Sequence, residues 1–160
     1  MGFFLLLIST LVQVSTEEII FRGWFLPVLN VKLGVVKAII ISSIVFGLIH
    51  ACTNLSFLAV FNLTLYGTFL ALYAILDNSI WGVCAWHTFW NWSERTLFGL
   101  IENGASKGDG FLLNAKITGN KFLTGGEAGS NGSFFLTIIL LIGIFYLTFK
   151  LNKKELLKLY

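Results

Sequence analysis

Residues Phe3–Leu29 read FFLLLISTLVQVSTEEIIFRGWFLPVL, an apolar stretch in which Glu17, Glu18 and Arg22 stand close together. The stretch exceeds the roughly 20 residues that a helix needs to cross about 30 Å of hydrocarbon. Ionisable groups at bilayer depth cost at least about 2.5 kcal/mol each, so they usually belong to a functional site. The stretch therefore predicts a membrane-spanning helix that carries such a site.

The composition extends this prediction to the rest of the chain. The 160 residues are 56% hydrophobic and 12% charged, with a mean hydropathy of +0.84. Soluble domains carry about 25% charged residues. We therefore predict an all-α fold, a polytopic transmembrane helical bundle. The net charge of +3 reflects a basic C-terminal tail, so we expect membrane lipid and no nucleic acid among the partners.

The apolar runs define about five spans. They cover Phe3–Leu29, Val35–Ala51, Leu55–Leu76, Ser79–Leu100 and Ser133–Phe149. In the first span, Thr16 precedes two glutamates and could cap a helix, so a break near Ser15 is also open. The N-terminus lacks the basic region and the cleavage site of a signal peptide, so we expect it to be retained.

The spans divide the chain into three parts. Residues 1–100 form a helical core with the candidate site, residues 101–132 a polar glycine-rich loop, and residues 133–160 a C-terminal transmembrane helix with a basic tail. Short strands at 111–113 and 122–123 are an alternative within the loop. With five spans, Lys32 and Lys37 fall on the same side as the lysines of the tail, which predicts that this side is cytoplasmic.

The first polar cluster has a spacing that separates its two acids. Glu18 and Arg22 are four residues apart, on one helical face and in the favourable order for an ion pair. Glu17 lies about 100° around the helix, which leaves it to a partner on another helix. A desolvated carboxylate near an imidazolium can act as a general base. The alternative is a structural ion pair and one solvated acid at a helix start.

Both histidines of the chain belong to further polar clusters. His87 and Asn91 are four residues apart and could donate hydrogen bonds to a developing oxyanion, or could simply hold helices together. His50 ends the second span, four residues after Phe46, and alone is typical of an interfacial histidine. The combination of Glu17 with these three polar side chains, on three separate spans, is what points to catalysis.

Metal chemistry fits the sequence less well. There is no His-Glu-x-x-His and no Gly-x-Ser-x-Gly. A zinc site can be drawn from Cys52, Cys84, His50, His87 and Glu17, but His-x-Cys is not a common ligand spacing. Both cysteines lie in apolar sequence, where we expect buried small hydrophobes and no disulfide. We therefore expect no metal and no cofactor.

The ordered motifs resemble those of a known family. Glu-Glu-x-x-x-Arg, Phe-x-x-x-His and His-x-x-x-Asn on successive spans resemble the CPBP family, the CAAX-processing and bacteriocin-processing (Abi) group of glutamic intramembrane endopeptidases. The resemblance runs from Gln13 to Arg95. The flanks EEIIFRGWFLPVL and ISSIVFGLIHA are also typical of the family. Each motif is weak alone, whereas the ordered set is specific.

The resemblance implies a role for each matched residue. In that family the first glutamate and the histidine of the second motif activate water, and these match Glu17 and His50. The histidine and asparagine of the third motif stabilise the oxyanion, and these match His87 and Asn91.

The remaining matched residues, Glu18 and Arg22, correspond to residues that are largely structural in the family. The resemblance also implies that no metal is required. We thus expect a metal-independent glutamic protease that cleaves a peptide bond of a membrane-associated protein or peptide. The small size and the Lys/Asn-rich character favour a bacterial protein. We therefore expect a multi-pass protein of the cell membrane, which in that case is the bacterial inner membrane. The alternative is a non-catalytic bacteriocin-immunity or scaffold membrane protein of the same fold.

Overall fold

The computed structural model describes residues 2–50, 56–100 and 110–157, and most of these residues are helical. The elements in chain order are α1 (Gly2–Glu18), a first π-helical segment (Ile19–Phe25), α2 (Leu26–Leu33), α3 (Val35–His50), α4 (Phe57–Asp77), α5 (Trp81–Trp92), a second π-helical segment (Ser93–Leu97), α6 (Lys121–Thr124), two 3-10 turns (Gly126–Ala128 and Ser130–Gly132) and α7 (Phe134–Lys153). No strand occurs in the described ranges. The predicted all-α helical bundle is confirmed.

The first rod of the bundle is one continuous helix, Gly2–Leu33. The alternative of a break near Ser15 is wrong, because Thr16 caps no helix and instead donates its hydroxyl to the carbonyl of Val12 at 2.8 Å. The irregularity comes later, where the first π-helical segment joins α1 to α2. The rod ends at Gly34, which has a φ of 81°. Glycine adopts such a positive φ readily because it has no Cβ.

Among the described residues, three helices are long and apolar enough to cross a membrane, namely Gly2–Leu33, Phe57–Asp77 and Phe134–Lys153. Helix α3 is apolar but shorter, with 16 residues. The fourth predicted span, Ser79–Leu100, is helical from Trp81 to Leu97, through α5 and the second π-helical segment, and is therefore also shorter than expected. The predicted span ends at Ala51 and Leu55 lie outside the described residues. These apolar helices are those of a membrane protein.

The rods alternate in direction, and one end of the bundle collects lysines. An apolar cluster at this end joins α2, α3, α4 and α7 through Leu26, Val35, Ala38, Ile39, Ala71, Leu72, Leu147 and Leu151. Lys32, Lys37, Lys150 and Lys153 belong to the same parts of α2, α3 and α7. We call this the lysine end.

The opposite end, the loop end, holds the described part of the glycine-rich segment, residues 110–132. Here the ring of Phe3 packs on Trp92 and Phe111, with centroid distances of 4.8 and 4.6 Å. The strands expected at 111–113 and 122–123 are wrong. The amide of Phe111 donates to the carbonyl of Thr96 at 2.6 Å, and residues 122–123 lie in the short helix α6.

Helices α3 and α4 pack closely through glycines. A Cβ on Gly47 would lie 3.0 Å from both the amide nitrogen of Thr64 and the carbonyl oxygen of Val60. A Cβ on Gly67 would lie 3.2 Å from the Cα of Ser43. These distances are shorter than ordinary van der Waals contacts, so small residues set the separation of the two helices.

We predict that Gly47→Ala destabilises the bundle by about 1–3 kcal/mol, the usual cost of overpacking, because the new methyl group meets backbone atoms that cannot move aside. Thermal unfolding of the purified protein in detergent micelles measures the effect. Gly23→Ala is the matched control, since its nearest atoms would lie at 3.8 and 3.9 Å. Equal stability of the two variants would contradict the close packing of α3 on α4.

Candidate active site

A buried carboxylate joins three helices of the bundle. Glu18 is 0% exposed, and its Oε1 accepts hydrogen bonds from Arg22 Nη1 at 3.0 Å and from His87 Nδ1 at 2.7 Å. Arg22 Nη2 donates to the carbonyl of Gly67 on α4 at 3.0 Å. Glu18, Arg22 and His87 therefore form one cluster, which we call the buried triad.

The first π-helical segment sets the position of Arg22 in the triad. Glu18 is the last residue of α1, and Arg22 lies in the wide turn that follows. The amide of Leu26 at the end of this turn bonds to the carbonyl of Phe21, five residues back. Pro27 follows at once and has no amide hydrogen to donate, which disturbs the regular α-helical ladder. Such π turns are frequent at functional sites.

Aromatic rings enclose the triad. The guanidinium carbon of Arg22 lies 4.5 Å from the ring centroid of Phe46, within cation–π distance. The ring of Tyr66 meets the ring of His87 edge-on at 5.2 Å. Both aromatic side chains are buried. The triad is thus packed against aromatic rings, through a cation–π contact at Arg22 and an edge-on ring contact at His87.

His50 lies next to the triad through Phe46. Its ring centroid is 4.8 Å from that of Phe46, which in turn lies 6.2 Å from the ring of His87. His50 Nδ1 is 2.8 Å from the carbonyl oxygen of Phe46. A carbonyl only accepts hydrogen bonds, so Nδ1 is the donor in this contact.

Two candidate residues lie beside the triad without joining it. Glu17 and Asn91 are each half-buried, and neither makes a hydrogen bond or an ion pair with another residue of the described ranges. Glu17 precedes Glu18, and Asn91 lies one helical turn after His87. The partner on another helix, His87, thus binds Glu18, whereas the helical spacing predicts such a partner for Glu17.

The geometry also bears on the metal alternative. Cys84 is a buried free thiol on α5, and Cys52 lies outside the described residues. Within the described ranges, no group of three or more His, Cys, Asp or Glu side chains could hold a metal ion.

Helix α4 supplies site residues, and the second π-helical segment a buried carboxylate, that sequence reasoning missed. Tyr66 and Gly67 contact the triad from a helix with no charged residue before Asp77, so no sequence signal marked them. Glu94 is buried in the second π-helical segment and accepts a hydrogen bond from the hydroxyl of Ser130. A signal existed there, because Glu94 is a charged residue inside the fourth predicted span.

We predict that Glu18→Gln lowers the free energy of unfolding strongly, by about 3–5 kcal/mol, because it leaves the buried guanidinium of Arg22 without its counter-charge. Glu17→Gln, the same change one residue earlier, should leave stability near that of the wild type, since Glu17 is half-buried and outside the triad. Unfolding of both variants in detergent micelles makes the comparison. Similar losses at the two positions would argue against a special role of Glu18 in folding.

Comparison with known proteins adds the family. Searches of curated proteins and of solved structures found no match. A family model described as type II CAAX prenyl endopeptidase Rce1-like matches residues 1–93 of the 160, a range that contains the triad, His50, Glu17 and Asn91. The match covers more than half of the chain, and the protein belongs to the Rce1-like family of type II CAAX prenyl endopeptidases.

Proposed function

We propose that the protein is a metal-independent intramembrane endopeptidase of the glutamic type, acting on a membrane-associated protein or peptide. Family membership supports a membrane endopeptidase function in general. The finer proposal rests on the convergence at Phe46, whose ring has Arg22 at 4.5 Å, His50 at 4.8 Å and His87 at 6.2 Å. Side chains of all three sequence motifs thus share one place in the bundle.

The proposed base is Glu17, assisted by His50. Glu17 is half-buried and can meet water, whereas Glu18 is fully buried and already holds two donors. Glu17 takes a proton from water while the water oxygen bonds to the carbonyl carbon of the substrate. His50 Nε2 accepts a hydrogen bond from the same water. The proton then passes to the amine that leaves as the C–N bond breaks, which completes the hydrolysis.

The proposed oxyanion site consists of His87 and Asn91. Glu18 fixes the ring of His87 through Nδ1, so a protonated ring can donate from Nε2 without releasing its anchor. Asn91 follows one turn later on the same face of α5 and can donate from its side-chain amide. These two donors would stabilise the negative charge that develops on the carbonyl oxygen in the transition state.

We further propose that the protein lies in the bacterial inner membrane with its lysine end in the cytoplasm. Lys32, Lys37, Lys150 and Lys153 all belong to that end of the bundle, and lysines next to spans favour the cytoplasmic side.

Glu17→Gln should reduce cleavage by about 10²–10⁴-fold, the usual contribution of a general base, while the protein still inserts and folds. Substrates come first from a comparison of protein termini in cells with and without the protein, and rates then from the purified enzyme. Glu127→Gln is the matched control, because that side chain is 93% exposed in the glycine-rich segment. Near-normal cleavage by Glu17→Gln would remove this role. A biological effect that survives complete loss of cleavage would favour the immunity or scaffold alternative.

The same assay tests the absence of a metal requirement. Activity should persist in the presence of chelators. Loss of activity with a chelator, followed by recovery on addition of zinc, would instead support a metal site that includes Cys84 and His87.

Asn91→Ala should lower kcat by about 10²–10³-fold, as loss of one oxyanion donor does elsewhere, with little change in KM. The reason is that this contact strengthens only in the transition state. Steady-state kinetics separates the two constants. Asn152→Ala, an exposed position on α7, is the control. A raised KM with an unchanged kcat would assign Asn91 to substrate binding instead.

A further inference from the structure

A second buried carboxylate lies on the helix that carries His87 and Asn91. Glu94 is 8% exposed, and its Oε1 accepts a hydrogen bond from the hydroxyl of Ser130 in the second 3-10 turn. Glu94 falls just beyond the residues that the family model matches, so family membership assigns it no role.

Glu94 lies in the second π-helical segment, three residues after Asn91 on the same helical rod. At about 100° per residue, the position four residues after His87 returns to its face of α5, and this is Asn91. His87 is bound to α1 through Glu18. Asn91 therefore lies between two points at which a carboxylate ties this helix to another part of the protein.

The turn that holds Ser130 is itself fixed to the bundle. Asn62 on α4 is fully buried. Its Nδ2 donates to the carbonyls of Asn131 at 2.8 Å and Ser133 at 2.9 Å, and its Oδ1 accepts from the hydroxyl of Thr137 at 2.6 Å. The contact between Ser130 and Glu94 thus connects the second π-helical segment to α4 through a hydrogen-bonded turn.

Backbone contacts hold the same end of the helix. The carbonyl of Leu97 accepts from the amides of Leu112 and Leu113 at 3.0 Å, and that of Phe98 accepts from Ala115 at 2.9 Å. The last carbonyls of a helix lack partners within it. The glycine-rich segment supplies partners here and leaves the end of the helix little freedom.

We propose that Glu94 is a positioning residue for Asn91. Through Ser130, Glu94 fixes the turn in which α5 becomes π-helical, and this holds the Asn91 amide where the oxyanion develops. The proposal rests on the proposed function of Asn91. It concerns a residue that acts through another residue and does not touch the substrate.

The test uses the full chain in detergent micelles with three variants. Ser130→Ala removes the donor from a half-buried position and should fold normally. Glu94→Ala removes the acceptor, and Glu94→Gln keeps an oxygen that the Ser130 hydroxyl can still reach. Thr124→Ala is the matched control, because its hydroxyl bonds to the carbonyl of Asn120 within the same segment.

The first measurement needs no substrate. Nitrogen-15 labelling of asparagine gives the side-chain amide resonance of Asn91, which the Asn91→Ala variant identifies. Ser130→Ala should shift or broaden this resonance, whereas Thr124→Ala should not. An unchanged Asn91 resonance in Ser130→Ala would overturn the proposal.

The second measurement is kinetic. Ser130→Ala and Glu94→Ala should lower kcat by about tenfold to a hundredfold, the range expected for a hydrogen bond to a charged group, with KM within about twofold and recovery in Glu94→Gln. A rise of KM in parallel, or no loss of kcat, would reject the positioning role. If the wild type cleaves no peptide bond, the endopeptidase proposal fails, and the Asn91 resonance alone decides whether Glu94 positions Asn91.

Discussion

The bundle depends on the burial of one carboxylate. A charged group in a dry interior is costly unless it is paired and hydrogen-bonded, and Glu18 is fully buried. Arg22 and His87 both bind its Oε1, while Arg22 also reaches the carbonyl of Gly67. These contacts fix α1, α4 and α5 relative to one another. Separation of these helices would leave the Arg22 guanidinium and the Glu18 carboxylate in apolar surroundings without their present partners.

The candidate site residues outside the triad are less deeply buried than the triad itself. Glu17, His50 and Asn91 are half-buried, whereas the members of the triad are buried. Buried and half-buried polar residues are thus close neighbours in the sequence: Glu17 precedes Glu18, and Asn91 follows His87 by one helical turn. A catalytic site needs the groups that contact the substrate to be held within about 0.5 Å by supporting residues, and in the proposed mechanism the triad would be that support.

Much of the fold follows from the sequence because hydrophobic length and periodicity are local properties. The helices, the order of the polar clusters and the shared face of Glu18 and Arg22 can be derived in this way. Periodicity defines the faces of a helix, but it does not say which faces meet. It therefore did not show that His87 binds Glu18, or that Tyr66 and Gly67 line the site. The π-helical turns were also hidden, since the sequence offers only Pro27 as a signal.

The first π-helical segment has a consequence for the comparison of related sequences. Its hydrogen bonds span five residues instead of four, so it accommodates one residue more than a regular turn. A relative that lacks this extra residue would require a one-residue alignment gap within Ile19–Phe25. In this protein, a helical wheel drawn at about 100° per residue through the whole rod would assign the wrong lipid-facing positions to one of its two halves.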